Sequence, residues 1–391
     1  MSFISSVFAA FKREVLEVAH NRLYLAIIML IPLFMIIFFT AMFYRGEIVD
    51  LPIVAVDHSH SPSSRQLLRM INATRGVDVA YEVQSIAEAE RMMRHQEVCA
   101  ILYVPSDFES NIYRGIPSKV ECYLPGTNIS ADGIVGSNVQ QAVMTFAAGV
   151  SLSMFRAQGV GEAEAMVEIM PIKLHSNIVA NPYLNYGYYL APLFMLMGVV
   201  IITVVATIYA VGRELRYATS EEWLRLSGGS LLAALVGKLI LITIVMAVMV
   251  QLILVALVVV MGMNIMGSYL FLTLSSFVFI VAYQSVALFI VATTANLRLA
   301  LSLGGGYAVM AFTFSGITFP VTAMYGAIQP LAKLFPLGYF SEIFIDQMML
   351  GVPIIYDIPK LGLLLIFLLL PLLVWRRLRR IMFDSNYWCR G

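Results

Sequence analysis

Ionisable residues are sparse in this sequence, and one short stretch gathers several of them. Between Gly212 and Lys238 stand Arg213, Glu214, Arg216, Glu221, Glu222 and Arg225, with Lys238 closing the run. Thr219 or Ser220 can cap a short helix there. Glu221 and Glu222 then fall in its first turn, where the helix dipole favours negative charge. Gly228 and Gly229 stop it, and Trp223, Leu224 and Leu226 give it an apolar stripe. A solvated loop would account for the arginines alone. A capped amphipathic helix calls for a protein or lipid partner. The work expected of residues 213–238 is therefore to relay a push between a soluble partner and the membrane.

Two further groups are candidates. Phe3, Ile4, Val7, Phe8, Phe11, Val15, Leu16 and Val18 recur at near-helical spacing, with Lys12, Arg13, Glu14, Glu17 and Arg22 mainly elsewhere on the wheel. Residues 1–22 thus read as an amphipathic helix lying in the cytoplasmic interface, either as an anchor or also touching a cytoplasmic partner through Phe8, Phe11, Lys12 and Arg13. The second group is Glu342 and Asp346, four apart on one helical face of the apolar, proline-broken outer segment 320–353. An ionisable pair near a leaflet is a functional candidate by default, and the plain alternative is that both reach the outer surface.

Other combinations carry less. Asp57, His58 and His60 resemble a metal cluster, but no further ligand stands at a usual spacing, and polar groups in a Ser/Pro-rich turn more often cap helices. Cys99 and Cys122 lie in expected strands; two small buried strand residues is the default reading, and a bridge in an oxidising compartment is the alternative. Asn72-Ala73-Thr74 and Asn128-Ile129-Ser130 match the glycosylation sequon, which matters only in a eukaryotic secretory route. No Ser-His-Asp or Cys-His set can be assembled, and the GxSxG elbow is absent. No catalytic, cofactor-binding or metal residue is expected, and the chain does not read as an enzyme.

The elements that hold these residues follow from composition. Of 391 residues, 60% are hydrophobic and only 13% charged. A soluble domain carries about 25% charged residues, so a soluble enzyme and a disordered chain are both excluded. The net charge of +1 gives no signal for nucleic acid, and three cysteines are too few for a disulfide framework. A bilayer core needs roughly 20 apolar residues of helix. Such runs occur at 23–43, with Pro32 predicting a kink, and at 188–211, 239–260, 269–294, 300–319 and 361–375, the last interrupted by Pro371. That makes six spans. With the N-terminus inside, the inner segments hold Lys12, Arg13, Arg22, the 213–238 cations, Arg298 and the Arg376–Arg390 cluster, while the short outer loops hold Lys333 and Lys360. Positive residues gather on the cytoplasmic side, so both termini are placed inside and the large 44–187 segment outside. That segment alternates strands near 51–56, 99–104 and 120–124 with helices near 65–73, 85–94 and 132–156, a small α/β module. The fold class is an α-helical polytopic membrane protein with an inserted α/β extracytoplasmic domain.

Such a conduit needs power. Gly237-Lys238 is followed by Leu239, so there is no P-loop, and the spans lack the buried ionisable chain of an ion-driven carrier. A cytoplasmic partner that hydrolyses nucleotide would fill the gap. The rival readings are an ion-coupled secondary transporter and a membrane-anchored binding or assembly protein.

The order of motifs resembles the permease subunit of a type-2 ABC exporter, in the branch with a large domain between spans one and two. Val54-Ala-Val-Asp57 followed by Ser61-Pro-Ser-Ser-Arg65 is similar to that family's strand-then-helix opening, and Val104-Pro-Ser-Asp-Phe108 and Tyr123-Leu-Pro-Gly-Thr-Asn128 to its later landmarks. Asn181-Pro182, Tyr186 and Pro192 match the lead into span two; Arg213-Glu214, Thr219, Glu221 and Gly237-Lys238 resemble its cytoplasmic loop. Ser315-Gly-Ile-Thr-Phe-Pro320, Pro336, Tyr339-Phe340 and Gly351 match its last outer segment. Ala218 departs from the family's usual glycine, Trp223 from its frequent leucine, and Asp346 from a common basic residue. The resemblance implies a bacterial inner-membrane permease. Its partners would be a cytoplasmic ABC ATPase subunit, which holds ATP and Mg, and a second permease copy or a related permease. Arg213, Glu214, Thr219, Glu221, Trp223 and Lys238 would form the coupling loop. Lipophilic or amphipathic substrates suit the apolar spans.

Overall fold

The computed structural model describes residues 2–172, 180–181, 185–316 and 318–389. Pro182, Ile317 and Arg390, singled out above, lie outside the described residues. The chain forms two compact units, one of residues 1–46 and 178–391 and the other of residues 47–177.

Helix α1 (Phe3–His20) starts where the Ser2 side chain accepts the Ser5 N–H. Its buried face is the i, i+4 stripe Ser6, Ala10, Glu14 and Val18, while Phe3, Ile4, Phe8 and Leu16 are exposed. The apolar stripe read from the sequence is thus not the face that packs against protein. Asn21 both ends α1 and caps α2 (Arg22–Met42) by accepting the Tyr24 N–H. The kink expected at Pro32 is resolved as a wide turn over Ala26–Leu30, in which the Ile31 N–H bonds the Ala26 carbonyl. Proline lacks an N–H and its ring crowds the carbonyl four residues back, so the widened turn gives it room.

The 47–177 unit holds strands β1 (Leu51–Asp57), β2 (Val77–Glu82), β3 (Ala100–Val104) and β4 (Glu121–Tyr123) in the order β2-β1-β3-β4. β1 pairs parallel with β2 and β3, and β4 pairs antiparallel with β3. Its helices are α3 (Pro62–Asn72), α4 (Ile86–Arg94), α5 (Phe108–Tyr113), α6 (Ile129–Ala157) and α7 (Glu162–Ile169). Side chains alternate across a strand. Ile53, Ala55 and Leu102 therefore pack with Leu67, Ile71, Val135 and Val139 of α3 and α6, whereas Val54, Val56 and Ile101 pack with Ala89 of α4. Strand β2 had no clear counterpart in the sequence reading, because Val77-Asp-Val-Ala-Tyr-Glu82 is an edge strand with one buried residue.

The remaining helices are α8 (Tyr186–Arg216), α9 (Ser220–Leu226), α10 (Leu231–Val260), α11 (Tyr269–Thr294), α12 (Leu297–Thr313), α13 (Pro336–Ile345, continued by a wide turn over Asp346–Leu350), α14 (Ile358–Leu373) and α15 (Trp375–Phe383). Among the described residues four helices, α2, α8, α10 and α11, are long and apolar enough to cross a membrane, or five if the α14–α15 pair, bent by 44°, is one span. α12 is shorter than the expected run 300–319: it ends at Thr313, with 17 residues. Helix α8 is the hub, packed on α2, α10, α11 and α12. Small residues let it approach closely: Gly304 faces Val204 and Ile208, Gly212 faces Leu297, and Gly198 faces Met35.

Candidate coupling site

The 213–238 segment is mostly helix. Arg213 and Glu214 sit in the last turn of α8, Lys238 lies two turns into α10, and α9 bridges them. Ala218 makes the reversal after α8 at φ +55°, and the Thr219 N–H returns to the Glu214 carbonyl at 3.0 Å. This left-handed corner explains why glycine is usual at that position.

The reversal brings both ends of the segment against α1. Gly237 permits the approach: a Cβ there would stand 2.6 Å from the Ala10 Cβ and 3.1 Å from the Phe11 N. Around this contact a buried charge network closes. Arg13 of α1 grips Glu214 with two parallel bonds of 2.8 and 3.1 Å. The Lys238 ammonium donates to Glu14 at 2.6 Å and to Glu214 at 2.7 Å. Tyr24 donates to Glu14 at 2.5 Å, and the Thr219 hydroxyl to Glu214 at 2.5 Å. Arg213 donates to Glu17 and lies about 6 Å from the centres of both the Tyr24 and Tyr209 rings. Asn21 donates to the Tyr209 hydroxyl at 3.0 Å. Trp223 is fully buried, with the Lys238 ammonium 5.2 Å from the centre of its ring.

Three carboxylates, Glu14, Glu17 and Glu214, thus meet three cations, Arg13, Arg213 and Lys238. Desolvating such charges is costly unless each is paired and hydrogen-bonded. Here Glu214 accepts four bonds on two oxygens. Burial alone would pull the Arg13 guanidinium down; the Glu214 carboxylate, with Glu17 and Glu222 adding to it, offsets this and leaves its pKa raised.

Of the residues singled out from the sequence, Arg13, Arg213, Glu214, Thr219, Trp223 and Lys238 come together here. Lys12 and Glu221 are exposed, Phe8 is exposed, and Phe11 is half-buried beside Gly237. Lys12 lines an open groove of about 560 Å³ between α1 and α9, with Arg13, Glu17, Glu222 and Leu226. Sequence reasoning missed Glu14, Glu17, Asn21, Tyr24 and Tyr209. The signal was present for one of them: Glu14 falls on the same i, i+4 stripe as Ser6, Ala10 and Val18, the small-residue stripe that suits a close helix contact.

Glu342 and Asp346 meet elsewhere, around Lys360 of α14. The Lys360 ammonium pairs with Asp346, lies 2.9 Å from Asp357 and 3.8 Å from Glu342. Asp357 is fully buried and also accepts from the Gln347 amide at 2.7 Å. The remaining candidates take local roles. Asp57 accepts from the N–H groups of Ser59 and His60 and the Ser64 hydroxyl, so it organises the β1–α3 turn. A His58 ring nitrogen lies 3.0 Å from the Gln84 carbonyl, directed away from a shared centre with Asp57. Cys122 pairs in register with Leu102, three positions along β3 from Cys99, and both thiols are free. Burial raises the pKa of each.

A bundle of long apolar helices of this kind defines a helical membrane protein. The sequence profile described as ABC-2 family transporter protein matches residues 22–376, so the chain belongs to the ABC-2 transporter family. Membership makes it a membrane permease component of an ABC transporter and implies an ABC ATPase partner. No curated protein matches the chain.

Proposed function

We propose that the chain is the permease of an ABC exporter and that the buried network is where the stroke of a separate ATPase enters the membrane helices. The observation that carries this reading is the four-donor shell around Glu214. Through it α1, the end of α8, the α9 corner and α10 share one set of charges. None of them can shift alone without leaving a buried charge unpaired, at a cost of about 3–5 kcal/mol. The four therefore move together, and a push on α9 or α1 is delivered to α8, the hub of the bundle.

The groove between α1 and α9 supplies a surface for that push, with Lys12 and Glu222 at its edge. ATP and Mg belong to the ATPase subunit, and a second permease, a copy or a relative, faces this one across the transport path. A six-span topology accommodates α12 as the fifth span: its 17 residues make about 26 Å of helix, against a hydrocarbon thickness of about 30 Å. The α14–α15 pair is then the sixth. The lysine and arginine bias supports both termini on the cytoplasmic side of a bacterial inner membrane, with the 47–177 unit outside. Apolar helix surfaces support a lipophilic or amphipathic substrate moving outward.

The test is co-expression with an ABC ATPase encoded beside this chain. Wild type is expected to co-purify with it, and the paired exposed-site variants Lys12→Glu and Glu222→Lys to lose the ATPase while keeping their melting temperature. Uphill transport by the chain reconstituted alone would overturn the reading. So would undiminished ATPase capture by the double variant.

A further inference from the structure

The 47–177 unit contains a cavity that the transport reading leaves unused. It measures about 390 Å³ and lies between α5, the segment 115–120 and the second half of α6. Its walls are apolar: Leu67, Phe108, Ile112, Val143, Phe146 and Val150. Gly115, at φ +67°, turns the chain back after α5, and the Ile116 N–H returns to the Asn111 carbonyl at 2.9 Å. This corner lays Ile116 on the rim with half of its side chain open to solvent. A folded domain ordinarily closes such a gap or covers such an isoleucine.

Two polar side chains, Ser118 and Ser151, interrupt the lining. Ser118 borders the cavity, and its hydroxyl is buried with no hydrogen-bond partner. A buried hydroxyl without a partner is costly, and a turn of the Ser118 side chain into the cavity would let a ligand head group remove that cost. Arg114 and Lys119, both exposed, flank the lining segment Gly115–Ser118 in the sequence, two cations within the chain's reach of an anionic head group. Small-molecule sites run from about 300 to 1,000 Å³, mostly apolar with a few polar groups that orient the ligand. At the lower end of that range there is room for one hydrocarbon chain and not for a two-chain lipid.

We infer that this cavity binds a single-chain amphiphile with an anionic head, such as a free fatty acid, the chain lying among Phe108, Phe146 and Val150 and the head reaching Ser118. The site belongs to the 47–177 unit alone and does not depend on how the membrane helices are powered.

The full chain in nanodiscs, incubated with a diazirine-bearing saturated fatty acid and irradiated, should carry label in peptides covering 108–118 and 143–154. Ala147→Trp, at an exposed lining position, fills the groove and should lower that label about tenfold, an affinity change typical of a blocked pocket. Label in α8 and α11 peptides should be unchanged, which reports equal loading and folding. Val150→Phe serves as the second filling variant should the first fail to fold. Unlabelled fatty acid should compete, whereas its methyl ester and a two-chain anionic phospholipid should compete poorly. Equal label in wild type and the filled variants would overturn the inference, as would equal competition by the two-chain lipid.

Discussion

The two charged clusters of this molecule are each built around one lysine, and they differ in almost every other respect. Lys238 is buried and shared by Glu14 and Glu214, which come from sequence positions 224 and 24 residues away. Every carboxylate around it has a cation of its own or a shared one. Lys360 is partly exposed and faces three acids, Glu342, Asp346 and Asp357, all within 18 residues along the chain. Its surplus is negative. A balanced, buried and non-local cluster fastens helices together. A local, partly wet cluster with excess acid trims one corner. The difference teaches that charge count is a poor guide to role, and that what each charge would face if its partner left is the better one.

The largest test of this contrast is to remove each lysine. Lys238→Met leaves Glu14 and Glu214 buried without their shared cation, and the expected loss is about 3–5 kcal/mol. It should appear as a steep fall in melting temperature or in folded yield. Adding Glu14→Gln should recover part of the loss, since Glu214 still holds Arg13. Lys360→Met is expected to cost less, because the fully buried Asp357 keeps the Gln347 amide and Glu342 keeps access to water. Equal losses at the two lysines would break the comparison.

A second test separates packing from charge at the Lys238 cluster. Gly237→Val places side-chain atoms where Ala10 and the Phe11 backbone stand. Overpacking of this kind costs about 1–3 kcal/mol. It should also push α1 away, so cysteines introduced at exposed Lys12 and Glu222 would cross-link more slowly than in an otherwise wild-type background. Unchanged cross-linking would mean that the charges alone hold α1 in place.

The Lys360 cluster should instead respond to pH. Burial raises the Asp346 carboxyl above the usual carboxylate range; Lys360 opposes this and Asp357 adds to it. A raised pKa in the folded state stabilises below the ordinary carboxylate value, and that stabilisation is lost as pH rises through the raised value. Removing the opposing cation in Lys360→Met pushes Asp346 further in the same direction. The gap in melting temperature between wild type and Lys360→Met should therefore narrow as pH falls from neutrality toward 4. A gap that widens on acidification would contradict this assignment.

Much of this was legible in the sequence, for definite reasons. Long apolar runs of helix have no soluble alternative, so α2, α8, α10 and α11 could be read directly. The acidic first turn at 221–222 marked α9, although the Thr219 hydroxyl bonds Glu214 instead of capping that helix, and the amphipathic run 65–73 marked α3, which begins earlier, at Pro62. The charges at 213, 214 and 238 stood out because so little else nearby is charged. What could not be read was the partner of each charge. Glu14 and Lys238 are joined only by the way α1 lies along α10, a contact allowed by glycine at 237 and alanine at 10. A one-dimensional pattern marked an apolar stripe on α1, but the face that packs against protein is the adjoining stripe of Ser6, Ala10, Glu14 and Val18, which shares only Val18 with it. The expected run extended to 319 because Phe314, Ile317 and Phe319 continue an apolar signal after the helix has ended at Thr313.

The smallest test concerns the corner that sets the Lys238 cluster in place. Ala218 holds φ +55°, a region in which a Cβ crowds the following carbonyl at about 1–2 kcal/mol. Ala218→Gly removes that crowding, but glycine loses about 0.5–1 kcal/mol more backbone entropy on folding. The two effects oppose, and the steric one is the larger. A net gain of about 0.5 kcal/mol is expected, read as a small rise in melting temperature with Thr219 still bonded to Glu214. No comparable glycine gain is expected at Asp357, which stands at φ −95°. A fall in stability for Ala218→Gly would mean that the corner is held by the network, and the network would then have to be counted as the cause of the turn rather than its consequence.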